Sequence, residues 1–422
     1  MIKNIKVELG NLLLSLSDAL DLSNPQITDH QQRVSYISLS IADEMKVDAG
    51  YKQDLFLASL FHDVGIFSTD EKLKAKEFDL QDPKEHWIRG YFLLRDIPLF
   101  RNASGIIRFH HLPWNNGQGI ECDAKEVPLQ SHIVHLADRI EILINRDEPI
   151  LNQCNKIKDI IKSYTGNLFH PRHVDIFLQL ATKEHFWLDL TSSRIYSILL
   201  QMETWVRSIL ELEDLGDISS IFSHIIDFKS HFTATHSARV AASSSMLARF
   251  MRFSDRECRM MEIAGFLHDL GKLSVPNSIL EKQGKLDETE FNIIRAHTYH
   301  TFHLLNTIGG MKTIAEWASF HHERLDGRGY PFHHDASVLS LGSRIMSISD
   351  VFTALAEDRP YRKGLEKEAV IRIMDRMVQD GALDADVFKA LKNNYDNIID
   401  RMIDAQKHAE EAYQKSMGDQ RL

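Results

Sequence analysis

The sequence predicts an all-α protein made of two tandem helical domains. Apolar residues recur at helical spacing along the chain, and no alternation of apolar and polar residues extends over the length of a strand. Proline and glycine are scarce and gather between the predicted helices. One ordered set of histidines and aspartates occurs twice, which indicates an internal repeat.

The repeated set contains seven histidines and aspartates in each half of the chain. Two of its gaps have the same length in both halves: 32 residues (30 to 62 and 236 to 268) and 24 residues (86 to 110 and 297 to 321). Such agreement predicts two copies of one helical unit. The two sets are His30, His62, Asp63, His86, His110, His111 and Asp138 in the first copy, and His236, His268, Asp269, His297, His321, His322 and Asp350 in the second.

The first domain is expected to cover residues 1–190. It begins with an amphipathic helix whose acidic and polar residues distinguish it from a signal peptide. After His30, Val34, Ile37 and Ile41 form a helical stripe. We therefore expect a helix after His30.

Residues 191–212 are expected to form a long connecting helix, since 192–212 contain neither glycine nor proline. The apolar stripe of this segment suits core packing and also allows a homodimer contact. The second domain is expected over residues 213–422, with Val240 and Leu247 forming the stripe after His236.

Composition narrows the class of partner. The net charge of -11 disfavours a polymeric nucleic acid, although metals and a few local cations can still attract a small phosphorylated substrate. No apolar stretch reaches the length of a membrane span. The three cysteines, Cys122, Cys154 and Cys258, contain no CxxC pair, so reduced thiols in a cytoplasmic protein are expected.

The histidines and aspartates of the second copy predict a centre of two divalent metal ions. Imidazole and carboxylate ligands suit iron or manganese best, with nickel, zinc or magnesium as alternatives. A hydroxide held between two ions would attack phosphorus in line with the leaving oxygen. Asp269 would bridge the ions, whose ligands we assign as His236, His268, Asp269 and Asp350 for one and Asp269, His297, His321 and His322 for the other.

The second half resembles the HD-GYP family of phosphodiesterases, a branch of the HD superfamily. The resemblance covers most of residues 213–400 and rests on the motifs THSARV (235–240), HDLGK (268–272), AH (296–297), HHERLDGRGYP (321–331) and SDVFTALAEDRPYR (349–362). It implies an all-helical fold, two or three metal ions, and a role in bacterial second-messenger signalling. The implied reaction opens cyclic di-GMP or 3′,3′-cyclic GMP-AMP to the linear dinucleotide, with a further step to mononucleotide left open.

Several residues around the predicted ligands point to recognition of such a substrate. We expect Asp269 and Lys272 to be catalytic, with the Lys272 ammonium reaching a phosphate. Tyr330 offers a ring for base packing, and Arg359 and Arg362 could clamp a second phosphate or stack on a purine. Members of the family with three metals carry a carboxylate where this chain has Phe232, which favours a binuclear centre.

The first copy keeps the seven ligand-type residues and lacks the substrate groups. Ile66 stands at the position of Lys272, and Gly119 at that of Tyr330. Asp147 occupies the position of Arg359. We expect this unit to be silent toward cyclic dinucleotides, whether it binds metal, senses another ligand or acts as a scaffold.

Two other functions remain open from the sequence. One is a non-catalytic sensor of the dinucleotide or of metal, which the complete ligand set with Lys272 disfavours. The other is a different HD-type nucleotide phosphohydrolase, which the Gly-Tyr-Pro loop and Arg359 disfavour.

Overall fold

The structure is a computed structural model that describes residues 6–22, 28–66, 84–203, 205–229, 235–282, 284–358 and 363–418. Helices dominate these residues, and their only strands are two-residue pairs, so the all-α prediction is confirmed. Within the described ranges, no helix combines the length and apolar character needed to cross a membrane.

The helices of the described residues fall into two series along the chain. The first ten are α1 (Leu9–Asp21), α2 (His30–Met45), α3 (Ala49–Leu60), α4 (Lys84–Leu94), α5 (Arg101–Ile107), α6 (Leu129–Ile142), α7 (Ile150–Ser163), α8 (Pro171–Leu180), α9 (Glu184–Leu190) and α10 (Ile195–Met202). The next ten are α11 (Leu212–Lys229), α12 (His236–Phe250), α13 (Asp255–Leu267), α14 (Asn277–Leu280), α15 (Glu288–Asn306), α16 (Lys312–Ser319), α17 (Leu341–Ala356), α18 (Lys367–Gln379), α19 (Ala385–Asn393) and α20 (Tyr395–Gly418).

The short strands form two antiparallel pairs. One joins the N-terminal segment to the start of the second half, and the other closes a hairpin within the first half. In chain order they are β1 (Val7–Glu8), β2 (Glu121–Cys122), β3 (Lys125–Glu126) and β4 (Ile209–Leu210), with β1 pairing with β4 and β2 with β3.

Packing divides the chain into two compact units. The N-terminal unit is Asn24–Ser208, and the C-terminal unit joins Ile209–Gly418 to the described part of Met1–Ser23. In the C-terminal unit α12 packs against α13, α17 and α20; in the N-terminal unit α2 packs against α3, α6 and α8. Each unit therefore surrounds one central helix, and that helix begins with the first histidine of the repeated set.

This division differs from the expected domain at residues 1–190. Helix α1 belongs to the C-terminal unit, where β1 pairs with β4 and the Ser15 hydroxyl donates to the carbonyl of Leu304 at 2.6 Å. Leu12 and Leu13 on this helix are fully buried. Helical periodicity predicted α1 but carries no information about which half buries its apolar face.

The expected continuous helix over 192–212 is wrong. Helix α10 ends at Met202, Glu203 adopts extended backbone angles, and a 3₁₀ turn at Trp205–Arg207 leads into β4. The apolar residues of the segment 192–212 differ in burial. Ile195 and Leu199 are buried in the N-terminal unit, whereas Ile209 in β4 is half exposed. The homodimer contact considered for this stripe stays a prediction.

Capping explains where two of the site-bearing helices begin. Ser254 accepts from the backbone N–H of Glu257, whose carboxylate accepts in return from the backbone N–H of Ser254, so α13 starts with a capping box. Asp287 and Glu290 form the same reciprocal pair at the start of α15. These local signals fix the helices that carry His268 and His297.

Candidate active site

The C-terminal unit brings the seven predicted ligands together at the ends of its helices; we call them the C-terminal cluster. The seven occupy the first turn of α12, the residues after α13, the interior of α15, the residues after α16 and the interior of α17. In that order they are His236, His268 with Asp269, His297, His321 with His322, and Asp350. Six of them are buried, and His322 is partly so.

Three histidines of the C-terminal cluster share one orientation. Their Nδ1 atoms donate to the carbonyl three residues earlier: His268 to Gly265 at 2.8 Å, His297 to Ile294 at 2.6 Å and His321 to Ala318 at 2.7 Å. Because a carbonyl only accepts, Nδ1 carries the proton and Nε2 presents its lone pair to the centre of the cluster. This is the tautomer that binds a metal through Nε2.

Unsatisfied polar atoms at the centre fit a cation. The Nε2 atoms of His297 and His321 lie 3.3 Å apart with both lone pairs directed inward. The Nε2 of His268 and Oδ1 of Asp269 are buried without a hydrogen-bond partner. Buried polar atoms are normally satisfied, and divalent metal ions would satisfy these.

Asp269 faces both halves of the C-terminal cluster. Its Oδ2 lies 3.2 Å from His268 Nε2, while its Oδ1 lies 3.4 Å from His297 Nε2 and 3.9 Å from His321 Nε2. Ligand atoms within 4.8 Å of one another include the groups His236/His268/Asp350 and His297/His321/His322. The carboxylate therefore stands between two groups of ligands, as a bridging carboxylate must.

The electrostatics keep the ligands in metal-binding form. Burial lowers the pKa of His297 and of His322 to about 3, so both imidazoles are neutral. Burial alone would raise the pKa of Asp269, but His268 and Lys272 hold it well below its usual value. These two neutral imidazoles therefore stand beside an ionised carboxylate at neutral pH.

His236 has a different partner, Glu357, which the sequence did not reveal. Burial opposes protonation of His236, but Glu357 and Asp350 raise its pKa to about 10. Its Nδ1 lies 3.0 Å from Glu357, and its Nε2 lies 3.2 Å from Asp350. Glu357 therefore orients His236 in the way that a carboxylate behind a metal-bound histidine does.

Lys272 lies at the edge of the C-terminal cluster. Its Nζ is 2.6 Å from Oδ2 of Asp269, and a quarter of its side chain is exposed. The backbone here is a 3₁₀ segment, Leu270–Ser274, and it brings the ammonium to the cluster.

Beside the C-terminal cluster, Tyr330 and two residues of α15 form an aromatic and cationic patch. The Tyr330 ring lies 4.9 Å from that of His322, and the Arg295 guanidinium carbon lies 5.1 Å from the Tyr330 centroid. Phe291 packs edge-on against Tyr330 at 6.2 Å and is 44% exposed. Sequence reasoning missed Phe291 and Arg295: they lie four residues apart on one helix face, but their spacing of six and two residues from His297 does not mark them as its neighbours.

Glu323 holds the loop that carries Tyr330. Its carboxylate accepts from the backbone N–H groups of Phe332 at 2.7 Å and His334 at 3.1 Å. Three residues considered from the sequence, Phe232, Arg359 and Arg362, lie outside the described residues.

The N-terminal unit assembles the seven residues of the first copy in the same way; we call them the N-terminal cluster. His62 and His110 again direct Nδ1 at the carbonyl three residues earlier, at 2.8 and 2.7 Å. Asp63 lies 3.4 Å from His62 and 3.8 Å from His86. Glu141 takes the place of Glu357, 2.7 Å from Nδ1 of His30.

In both units a glycine after the His-Asp pair lets the backbone approach the third histidine closely. A Cβ on Gly65 would lie 2.0 Å from the carbonyl oxygen of His86, and one on Gly271 would lie 1.9 Å from that of His297. Only glycine permits this approach. It brings the His-Asp pair against the helix of the third histidine. In the N-terminal unit the next residue, Ile66, is buried and supplies no charge.

Comparisons with known proteins agree with this geometry. Two family models described as HD domain match residues 27–143 and 220–387. The chain is 30% identical to 3′3′-cGAMP-specific phosphodiesterase 1 of Vibrio cholerae over 397 residues, 92% of either chain. It is 38% identical to a cyclic di-GMP phosphodiesterase of Pseudomonas aeruginosa over 160 residues, 38% of either chain.

A solved structure extends the likeness to the whole fold. The crystal structure of a cyclic GMP-AMP specific phosphodiesterase of Vibrio cholerae aligns with a TM-score of 0.65 at 27% identity, over 93% of this chain and 98% of that one. Together with the paired HD domains and the Gly-Tyr-Pro loop beside the C-terminal cluster, these likenesses show that the chain belongs to the HD-GYP family.

Proposed function

We propose that the C-terminal unit is a metal-dependent phosphodiesterase that opens a cyclic dinucleotide to its linear form. The observation that carries this proposal is Asp269, whose two oxygens face separate groups of histidines. The relatives support the substrate class, and those that align over most of the chain are named for 3′3′-cGAMP. We therefore take 3′,3′-cGAMP as the first substrate to test and cyclic di-GMP as the second.

The buried, unpartnered Nε2 and Oδ1 atoms support two divalent ions as the cofactor. We assign His236, His268 and Asp350 to one ion and His297, His321 and His322 to the other, with Asp269 shared. Bound ions would supply a nucleophilic hydroxide at neutral pH and stabilise charge on the phosphoryl oxygens. Imidazole-rich ligands favour iron or manganese over magnesium.

The chain's own residues provide recognition around that centre. Lys272 is suited to pair with a phosphate oxygen, because its side chain is partly exposed and its ammonium lies beside Asp269. Tyr330 presents a ring next to His322, suited to packing against a nucleobase. Arg359 and Arg362 remain proposed phosphate or purine contacts on the strength of the sequence alone.

We further propose that the N-terminal unit does not turn over a cyclic dinucleotide. Ile66, Gly119 and Asp147 replace the lysine, tyrosine and arginine of the second copy. Without these groups, the site lacks the cations that pair with two phosphates. A cytoplasmic location agrees with Cys122, Cys154 and Cys258, which form no disulfide with one another.

The test is hydrolysis by the purified full chain supplied with Mn²⁺ or Fe²⁺. We expect a linear dinucleotide from 3′,3′-cGAMP or cyclic di-GMP, and no hydrolysis of ppGpp. Asp269→Ala should abolish turnover, whereas the matched Asp63→Ala in the N-terminal unit should leave it. Failure with both metals and both cyclic dinucleotides, in a folded and metal-loaded protein, would overturn the proposal.

A further inference from the structure

We propose that the N-terminal unit holds one divalent transition-metal ion, bound by Asp63, His86, His110 and His111, and that Arg139 replaces a second ion. The proposal concerns the N-terminal cluster alone and does not depend on the activity of the C-terminal unit. The N-terminal cluster would then hold one ion, whereas the C-terminal cluster has ligands for two.

The three histidines of this site are buried and carry unpartnered nitrogen atoms. Nε2 of His86, Nε2 of His110 and both ring nitrogens of His111 are buried without a hydrogen-bond partner, and the three side chains are at least nine-tenths buried. The ligand atoms of these histidines and Asp63 lie within 4.8 Å of one another. The His86 ring centroid is 5.3 Å from that of His110 and 5.0 Å from that of His111.

The protonation state of these histidines suits a metal. His110 donates from Nδ1 to the carbonyl of Ile107, which leaves a lone pair on Nε2. Burial lowers the pKa of His86, and lowers the pKa of His110 and His111 well below the usual value. Three neutral imidazoles and one carboxylate complete a four-coordinate site of the kind that zinc and cobalt occupy.

In the other half of the N-terminal cluster a guanidinium pairs with one oxygen of Asp138, while the other oxygen lies 3.5 Å from Nε2 of His30. Arg139 is 1% exposed, and its Nη2 and Nε lie 2.6 and 3.2 Å from Oδ2 of Asp138. In the second copy the residue after Asp350 is Val351, which carries no charge. Asp138 in the first copy therefore already has a buried permanent cation within hydrogen-bond distance.

Two further arginines surround the carboxylate behind His30. Arg146 donates to Glu141 at 2.8 Å, and Arg33 lies 3.8 Å from the same side chain. Asp358 stands in the second copy where Arg146 stands in the first (138 to 146 and 350 to 358). The second copy has Arg239 at the position of Arg33 (30 to 33 and 236 to 239), so of these two arginines Arg146 is the one specific to the first copy.

A mononuclear site would have a structural role. Its ligands come from the segment after α3, from α4 and from the segment after α5, so one ion would tie three elements together. With all four positions taken by protein side chains, the ion would have no open position, which is the arrangement of structural rather than catalytic zinc.

The experiment counts metal in the full chain after the C-terminal cluster is disabled by His268→Ala, Asp269→Ala and His321→Ala. The protein is stripped with chelator and titrated with Co²⁺, whose absorption spectrum reports coordination; bound metal is counted by mass spectrometry. We expect one Co²⁺ per chain with a four-coordinate spectrum. His86→Gln or His111→Gln should lose it, while His30→Gln and the matched buried control His173→Gln should keep it.

The role of Arg139 is tested by Arg139→Met in the same background, which removes the charge and keeps most of the side-chain volume. Bound Co²⁺ should rise from one to two ions per chain. No bound Co²⁺ or two bound ions in the protein that retains Arg139, or loss of the ion through His30→Gln, would overturn the single-ion assignment. An unchanged count in Arg139→Met, with circular dichroism showing a folded chain, would overturn the role of Arg139.

Discussion

Lys272 and Asp269 form an ion pair in which the ammonium lies 2.6 Å from the carboxylate oxygen that also faces His268 at 3.2 Å. The lysine thus places a positive charge directly beside the proposed bridging ligand. It does so while a quarter of its side chain remains exposed to an incoming phosphate.

Lys272→Met should weaken binding of the dinucleotide more than binding of metal. A hydrogen bond to a charged group contributes about 1.5–3 kcal/mol, so we expect KM to rise on the order of tenfold to a hundredfold. Steady-state kinetics with metal analysis measures both quantities. The exposed Lys312→Met serves as control, and an unchanged KM would contradict the phosphate role.

Glu357→Gln should weaken metal binding without removing a ligand. The carboxylate lies 3.0 Å from Nδ1 of His236, and loss of such a partner typically costs roughly tenfold to a hundredfold in metal affinity. Excess Mn²⁺ should therefore restore turnover in Glu357→Gln but not in Asp269→Ala. Titration of activity with Mn²⁺ distinguishes the two variants, with the surface change Glu368→Gln as control. Equal Mn²⁺ requirements in wild type and Glu357→Gln would count against this role.

Arg295→Gln should reduce affinity for the dinucleotide and leave the metal content unchanged. The guanidinium lies over the Tyr330 ring at 5.1 Å, on the same helix as His297. A stacked cation of this kind contributes about 0.5–2 kcal/mol, so the dissociation constant should rise roughly threefold to tenfold. Calorimetry on the inactive Asp269→Asn background measures it, with exposed Arg372→Gln as control. An identical affinity would show that Arg295 does not meet the substrate.

The stability of the N-terminal unit should fall below pH 6.5. Burial lowers the pKa of His132 to about 4, and its Nε2 lies 3.0 Å from the carbonyl of Gly119. As the pH falls, His132 therefore binds a proton in the unfolded chain before it does so in the folded chain. The free energy of unfolding is highest above pH 6.5 and decreases by about 3 kcal/mol as the pH falls toward 4.

Thermal unfolding between pH 7.5 and 4.5 in the presence of chelator tests this pH dependence. His132→Gln keeps a donor for the Gly119 carbonyl and does not titrate, so its midpoint temperature should fall less steeply over that range. The exposed His408→Gln should retain the wild-type slope. Parallel slopes for wild type and His132→Gln would contradict the assignment.

The sequence predicted the C-terminal cluster because spacing and residue type are both local properties. His268, His297 and His321 each follow or occupy an amphipathic helix, and helical periodicity predicts such helices reliably. The carboxylates that contact the first histidine of each cluster were harder to predict. Glu357 lies seven residues after Asp350, whereas Glu141 lies three after Asp138, so a position-by-position comparison of the two copies does not align them.

The course of the chain over 192–212 and the packing of α1 could not be predicted from the sequence, for a related reason. The segment 192–212 has helical composition throughout, yet tertiary pairing of β4 with β1 overrides that propensity at Ile209 and Leu210. Similarly, the apolar face of α1 could have packed in either unit as far as its pattern shows. Partners that are distant in sequence decide both outcomes.

The pairing of β1 with β4 has a consequence for biosynthesis. The residues of α1 are made before the N-terminal unit, whereas Leu304 and the rest of their packing surface are made after it. The helix must therefore wait, with Leu12 and Leu13 still uncovered, until translation is well advanced. A fragment that starts at residue 213 would lack this helix altogether, and would leave exposed the surface that Leu12 and Leu13 cover in the full chain.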